Sequence, residues 1–274
     1  EMKKACKELN LKMISVGFDP LSKIENVPKN PKIRYEIMTN EMPKHGKSSL
    51  EMMYQTSGTQ VNIDYNSEID FKIKFKLASY LVPISVALFA NSSIKQMKPS
   101  GFLSYRSKVW QNTSRGGLPE VFLEDMSFEK YMDMSLNMPL LFIQQNSKHI
   151  NAEGKTFNDF MEGNIKVIEN KKPTLKDFET HLATIFTEVR LKNYIEIRSI
   201  DACEWSCHCA GPAFYVGLLY ANLEETYEVI NKWNKLDVMN AYLEAPKKGL
   251  ATMINNKSIL EWGKILLNLS KKGL

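Results

Sequence analysis

The sequence predicts an α+β fold, and three observations carry that expectation. Two stretches, 58–66 and 191–201, alternate at period two with polar residues on one face and apolar residues on the other. Between them, hydroxyl residues followed three positions later by Asp mark helix starts. From residue 212 onward the pattern is helical to the end of the chain.

The chain has 274 residues, enough to bury a substantial core, and it reads as a single domain over 1–274. Its net charge of +5 is mild, and lysines such as Lys72, Lys74 and Lys76 are scattered. Nucleic acid is therefore not the expected partner, whereas a small anionic substrate suits the balance. The longest apolar run, 77–90, is broken by Pro83 and too short to span a bilayer, so no membrane role is expected. The opening Glu1-Met2-Lys3-Lys4-Ala5-Cys6 reads as part of a helix, with no secretory leader. Four cysteines, three of them bunched, make no spaced disulfide framework, and a cytoplasmic location is expected.

In chain order, 12–18 reads as a strand ended by Asp19-Pro20, and a Pro-containing loop leads to a short helix over 33–42. Arg34 falls in the first turn of that helix, where a cation opposes the helix dipole and stability alone gives it no reason. Residues 49–66 read as one long strand in which Gly58 marks a bulge or a close approach and Gln60, Asn62 and Asp64 share a face. Ser67 caps the next helix, whose expected buried stripe is Ile69, Ile73, Leu77 and Leu81, and 84–89 continues helical after Pro83. Gly116-Gly117 reads as a turn, because no strand, loop and helix context supports a phosphate cradle. Ser127 caps a helix to 136, 140–144 reads as a strand, and Thr156 and Thr174 start two more helices. The second of these, 175–186, delivers the chain to the strand in which Tyr194, Glu196 and Arg198 share a face. An acid and a base two positions apart on a strand lie roughly 7 Å from each other.

Cys203, Cys207, His208 and Cys209 crowd into seven residues, which does not match paired zinc ligands separated by a longer loop. His45 and His149 fall in loops, and His181, beside Phe178 and Leu182, reads as a buried structural residue. What remains is Gln60 on one polar lane, Glu196 and Arg198 on the other, and the separated Arg34 and Arg106. An amide oxygen and a carboxylate suit magnesium, and arginines clamp carboxylate or phosphate. Together they describe phosphoryl transfer onto a carboxylate.

Several ordered runs then carry a resemblance. They are Gly58-Thr59-Gln60-Val61-Asn62-Ile63-Asp64-Tyr65, Ala87-Leu88-Phe89-Ala90-Asn91-Ser92, Gly101-Phe102-Leu103-Ser104-Tyr105-Arg106-Ser107, residues 181–192, Tyr194-Ile195-Glu196-Ile197-Arg198 and Pro212-Ala213-Phe214-Tyr215-Val216-Gly217-Leu218-Leu219-Tyr220. The sequence resembles glutamate-cysteine ligase of the plant and proteobacterial type. That resemblance implies a twisted antiparallel sheet backed by helices, related to the glutamine synthetase catalytic domain, with a helical C-terminal part. It implies that ATP phosphorylates the γ-carboxyl of L-glutamate and that the amine of L-cysteine displaces the phosphate, the first step of glutathione synthesis. Glu196 would ligate Mg2+ and act in catalysis, with Gln60 a ligand or near neighbour of the same ions. Arg198 would contact the phosphates of ATP or the acyl phosphate, and Arg34 and Arg106 would grip glutamate. The family usually has Arg at Gln55, Cys-Thr at Ser57-Gly58, and a Gly-rich run at Ser199-Ile200-Asp201-Ala202-Cys203. The resemblance also places a strand with paired metal-binding glutamates ahead of Glu1 and a further helix after the last residue, so this chain alone is expected to have little ligase activity. Another acceptor amine, or a non-catalytic remnant that binds glutamate or nucleotide, are the alternatives.

Overall fold

Ile33–Glu41 (α1) and Ser49–Gln55 (α2) precede the first strand, Gly58–Ile63 (β1), in the computed structural model. Glu68–Tyr80 (α3), Val82–Leu88 (α4) and Tyr105–Gln111 (α5) follow, and the strands Val189–Leu191 (β2) and Ile195–Asp201 (β3) come late in the chain. The structure describes residues 1–44, 46–113, 115–145, 148–168 and 171–274; His45, expected in a loop, lies outside them. The three strands form an antiparallel sheet in the order β1-β3-β2, so the strand with the acid and base is central. The architecture is α+β, with three further two-stranded hairpins among the described residues.

One face of the sheet is apolar. Val61, Ile63, Ile195 and Ile197 pack under Phe71, Phe75, Leu77 and Leu81 and under Phe214, Tyr215 and Leu218 of the C-terminal helices. Tyr215, Phe71, Phe75 and Phe214 are among the largest fully buried side chains, and removal of such groups from water is the main favourable term in folding. A separate small core, Leu140, Ile143, Ala152, Phe157 and Phe160 among its members, sits under the hairpin Phe142–Gln145/Lys148–Asn151. Arg115 ties this unit to the rest: its Nε donates to Thr184 O (2.7 Å), Nη2 to Thr184 Oγ1 (2.8 Å), and Nη1 to Pro139 O.

Several expectations change. Residues 12–18 form no strand; Phe18 alone makes a single bridge, to Thr56. The first half of 49–66 is α2, because Leu50, Glu51, Met52, Met53 and Gln55 are good helix formers and five residues of alternation cannot outweigh that preference. In α3 Leu77 is buried as expected, as is Leu81 just beyond it, and Ile73 packs against the core, but Ile69 is 72% exposed and Phe71, Phe75 and Ala78 share the buried face, since two phenyl rings bury more area than one isoleucine. The helix over 175–186 stops at Leu182, and the strand expected over 140–144 runs Phe142–Gln145. Inside the helical tail, Met253–Ile254 and Lys257–Ser258 pair through Asn255 and Asn256, both at positive φ (45° and 62°). An Asn pair is what such a tight turn favours. The helix starts at Ser67, Ser127, Thr156 and Thr174 all carry the expected side-chain cap.

Candidate functional site

The polar face of the sheet meets α1, α2 and α5 around a cleft of about 240 Å³. That volume is below the roughly 300–1,000 Å³ of sites for drug-sized ligands and suits a molecule of amino-acid size. Arg34, Gln60, Arg106 and Arg198 all line it, with Tyr35, Met38, Met52, Met53, Trp110 and Phe186 as its apolar wall. Four residues far apart in sequence are thus brought together as expected.

Each arginine is held differently. Arg34, in the first turn of α1, is exposed, and its one described contact is with the Tyr35 ring, 5.0 Å from its centroid. Arg106 is 3% exposed; its Nη2 donates to the carbonyl of Arg198 (2.6 Å) and its guanidinium lies 5.2 Å from the Trp110 centroid. Arg198 faces the same indole at 5.1 Å. Nε and Nη1 of Arg106 are buried without a hydrogen-bond partner, although Nη1 lies 3.8 Å from Asp201. Gly58 makes this possible: a Cβ there would come within 2.8 Å of Arg106 Nη2 and of Ile200 O. The expected close approach at Gly58 is therefore present, and the arginine is what approaches.

The register of β1 against β3 shifts by one. Thr59 pairs with Ile200 but Val61 pairs with Ile197, so Gln60 faces two residues, Arg198 and Ser199. This is a β-bulge on β3. It keeps Glu196 and Arg198 on the polar face, puts Ser199 and Ile200 together on the core side, and returns Asp201 to the polar face opposite Gly58.

Glu196 does not face solvent or line the cleft. It is 2% exposed, and its Oε1 accepts from Arg190 Nη2 (2.7 Å) and Arg198 Nη1 (2.5 Å) while Oε2 accepts from Lys192 Nζ (2.7 Å). Burial raises its carboxyl pKa, but the bonds from Lys192 and Arg198 and the charges of Arg190 and Arg198 outweigh that and lower it to about 2. Its neighbour across the ladder is Asn62, and Gln60 stands opposite the bulge. The expected pairing of Glu196 with Gln60 around Mg2+ does not fit this donor set. Both carboxylate oxygens are already taken by cations, and among the described residues no group of three or more His, Cys, Asp or Glu could hold a metal ion.

Sequence reasoning missed Arg190, Glu188 and Asp201. Arg190 and Lys192 alternate with Val189 and Leu191, a period-two signal that was there to use. Glu188 is fully buried, accepts from Tyr242 OH (3.3 Å), and burial raises its pKa. His181 is buried and its Nε2 lies 2.7 Å from Ser135 O; burial lowers its pKa to about 4, so it is a neutral structural residue. Cys203, Cys207 and Cys209 are free thiols, the last two exposed.

A family model for "Glutamate-cysteine ligase family 2" matches residues 1–262. Glutamate-cysteine ligase B, chloroplastic, of Oryza sativa subsp. japonica is 40% identical over 279 residues, covering 100% of this chain and 56% of that protein. The chloroplastic glutamate-cysteine ligases of Nicotiana tabacum and Arabidopsis thaliana are each 39% identical, again over 100% of this chain and 53% of theirs. The chain thus spans about half the length of the curated relatives it matches. All three relatives are named as chloroplastic, which overturns the expectation of a cytoplasmic location drawn from the cysteines. Among the described residues no helix is long and apolar enough to cross a membrane. With the arginine-lined cleft on its sheet and a match running through nearly its whole length, the chain belongs to glutamate-cysteine ligase family 2.

Proposed function

We propose that the protein of which this chain is part joins the γ-carboxyl of L-glutamate to the amine of L-cysteine at the expense of ATP, the first step of glutathione synthesis. The single domain over 1–274 would serve as ligase catalytic domain, on a scaffold related to glutamine synthetase. The observation that supports this reading best is the cleft itself: three arginines converge on a space of amino-acid size, and one of them, Arg106, keeps two buried N–H-bearing atoms without partners. A buried donor without an acceptor is costly, and an incoming carboxylate supplies one.

In this reading Arg34 and Arg106 bind glutamate, the first as an exposed cation at the rim and the second as a buried one. A carboxylate oxygen of glutamate forms a bond to the γ-phosphorus of ATP, the bond from that phosphorus to the β,γ-bridging oxygen breaks, and ADP departs. Arg198, at the floor of the cleft, is placed to hold phosphate charge as it moves. The cysteine amine then bonds to the acyl carbon, the carbon–oxygen bond to phosphate breaks, and the amine loses its proton. Glu196 acts from behind, by fixing Arg198 through the 2.5 Å bond. Because Glu196 does not fit a resident metal, magnesium belongs here to the nucleotide's own phosphates as part of the substrate.

Calorimetric titration of the chain with L-glutamate and L-glutamine tests the carboxylate grip. Glutamate is expected to bind, glutamine at least about ten-fold more weakly, and Arg34→Ala to weaken glutamate by about ten-fold, the loss of one charge-assisted contact. Equal affinity for the two amino acids would remove the basis of the proposal.

A further inference from the structure

Asp201 has no place in the chemistry described above, yet it sits at the root of the arginine that grips the substrate. It is 1% exposed. Its Oδ2 accepts from the backbone N–H of Asn91 (2.8 Å) and from Ser92 Oγ (2.7 Å), and its Oδ1 accepts from Ser104 Oγ (3.0 Å). Both hydroxyls are themselves acceptors at the start of α5. Ser92 Oγ accepts from the backbone N–H of Arg106 (3.1 Å), and Ser104 Oγ accepts from that of Ser107 (3.1 Å). One carboxylate therefore orients two hydroxyls, and those hydroxyls fix two successive amides of the turn that carries Arg106. The same carboxylate lies 3.8 Å from Arg106 Nη1.

The surroundings leave no slack. A Cβ on Gly17 would fall 2.5 Å from Asp201 Cγ, so the chain passes directly over the carboxylate. On the other side of the guanidinium stand the Arg198 carbonyl and the Trp110 ring. A solvating acid for an N-cap would need none of this; two hydroxyl relays, a buried ion and a glycine roof are what fixing a guanidinium in one orientation requires.

We propose that Asp201 is a positioning residue that sets Arg106, backbone and guanidinium together, for the carboxylate of the substrate. The proposal rests on the reading of Arg106 as a glutamate ligand. Through Ser92 and Ser104 it fixes where α5 begins, and through its own charge it fixes which edge of the guanidinium is left for a ligand.

The test is Asp201→Asn in the same chain, read in two ways. Titration with L-glutamate and, separately, with a magnesium-loaded β,γ-imido analogue of ATP is expected to show glutamate weakened by about ten-fold or more and the nucleotide analogue within two-fold, since a misplaced contact can cost up to roughly a hundred-fold. A variant that melts earlier but binds glutamate as the wild type does would show a purely structural acid and overturn the proposal. The second reading needs no ligand: the Arg106 Nε–H resonance in a 15N spectrum, identified by its loss in Arg106→Lys, is expected to be sharp and slow to exchange in the wild type and broadened in Asp201→Asn. An unchanged line overturns the inference whether or not glutamate binds. A wild type that ignores glutamate while its Arg106 line still responds to Asp201→Asn overturns the proposed function and leaves the positioning role standing. Should Asp201→Asn fail to fold, Ser92→Ala keeps the carboxylate and cuts one relay, with glutamate expected to weaken about three- to ten-fold; wild-type affinity and an unaltered line in that variant would equally end the proposal.

Discussion

Glu196 accepts bonds from three cations while almost wholly buried, and that determines how substitutions there behave. Removing one partner of a buried ion pair leaves the others uncompensated and costs about 3–5 kcal/mol. Glu196→Gln is therefore expected to lower stability by about that amount in urea titration, as well as to disturb the site through Arg198. The carboxyl is lowered from 4.5 to about 2 in the fold, so the unfolded chain takes up the proton first as the solution is acidified. Its stabilising contribution is complete above pH ~4.5 and is lost as pH falls toward 2, at about 1.4 kcal/mol per unit. The wild type should show that acid slope and Glu196→Gln should lack it; equal slopes would mean that the carboxylate is not held by its cations. At this scale the sequence was informative about which residues matter and silent about their neighbours. Arg34, Gln60, Arg106 and Arg198 share one cleft, but of the other cations on Glu196, Arg190 stands on a neighbouring strand and Lys192 just past its end, and strand pairing is not written in local spacing.

Elements are placed by their ends more than by their middles. The capped starts at Ser67, Ser127, Thr156 and Thr174 were legible because a hydroxyl bonding an amide three residues on is a local event, complete within one turn. The stretch 49–66 was misread because α2 and β1 meet with only Thr56 and Ser57 between them, and alternation in β1 was extended back across the joint. Gly58 begins β1 against the Arg106 side chain, with the Ile200 carbonyl on the other side. Gly58→Ala is expected to cost about 1–3 kcal/mol, the usual penalty for overpacking, and to displace the guanidinium. Thermal melting together with glutamate titration checks both; an alanine variant with wild-type stability and affinity would show that β1 and α5 can separate without harm.

At the scale of the whole molecule, the described residues form three hydrophobic cores, and Arg115 is one of the ties between the one around Phe157 and Phe160 and the rest. Its guanidinium spans from Thr184 to Pro139, linking the approach to β2 with the segment that leads into the hairpin of the small unit. Burial lowers its pKa to about 10, still far above neutrality, so it stays charged. Arg115→Met is expected to let residues 139–182 exchange their amide hydrogens through openings about 2–3 kcal/mol easier than in the wild type, while the amides of β1 and β3 keep their protection. Uniform loss of protection would show one cooperative unit instead. Composition and periodicity gave no sign of this division, since all three cores draw on the same apolar alphabet.

The surplus residue in β3 has a consequence that reaches past the strand. Had the ladder run evenly from Ile195, every odd position would look toward the helices, and the aspartate at 201 would end as a bare anion in an oily layer. One extra letter opposite Gln60 inverts that reading frame for whatever follows, so deleting Ser199 would even out the ladder with Ile200 and Asp201 still on their present faces, whereas pulling the strand straight with Ser199 kept would swap inside for outside at its far end.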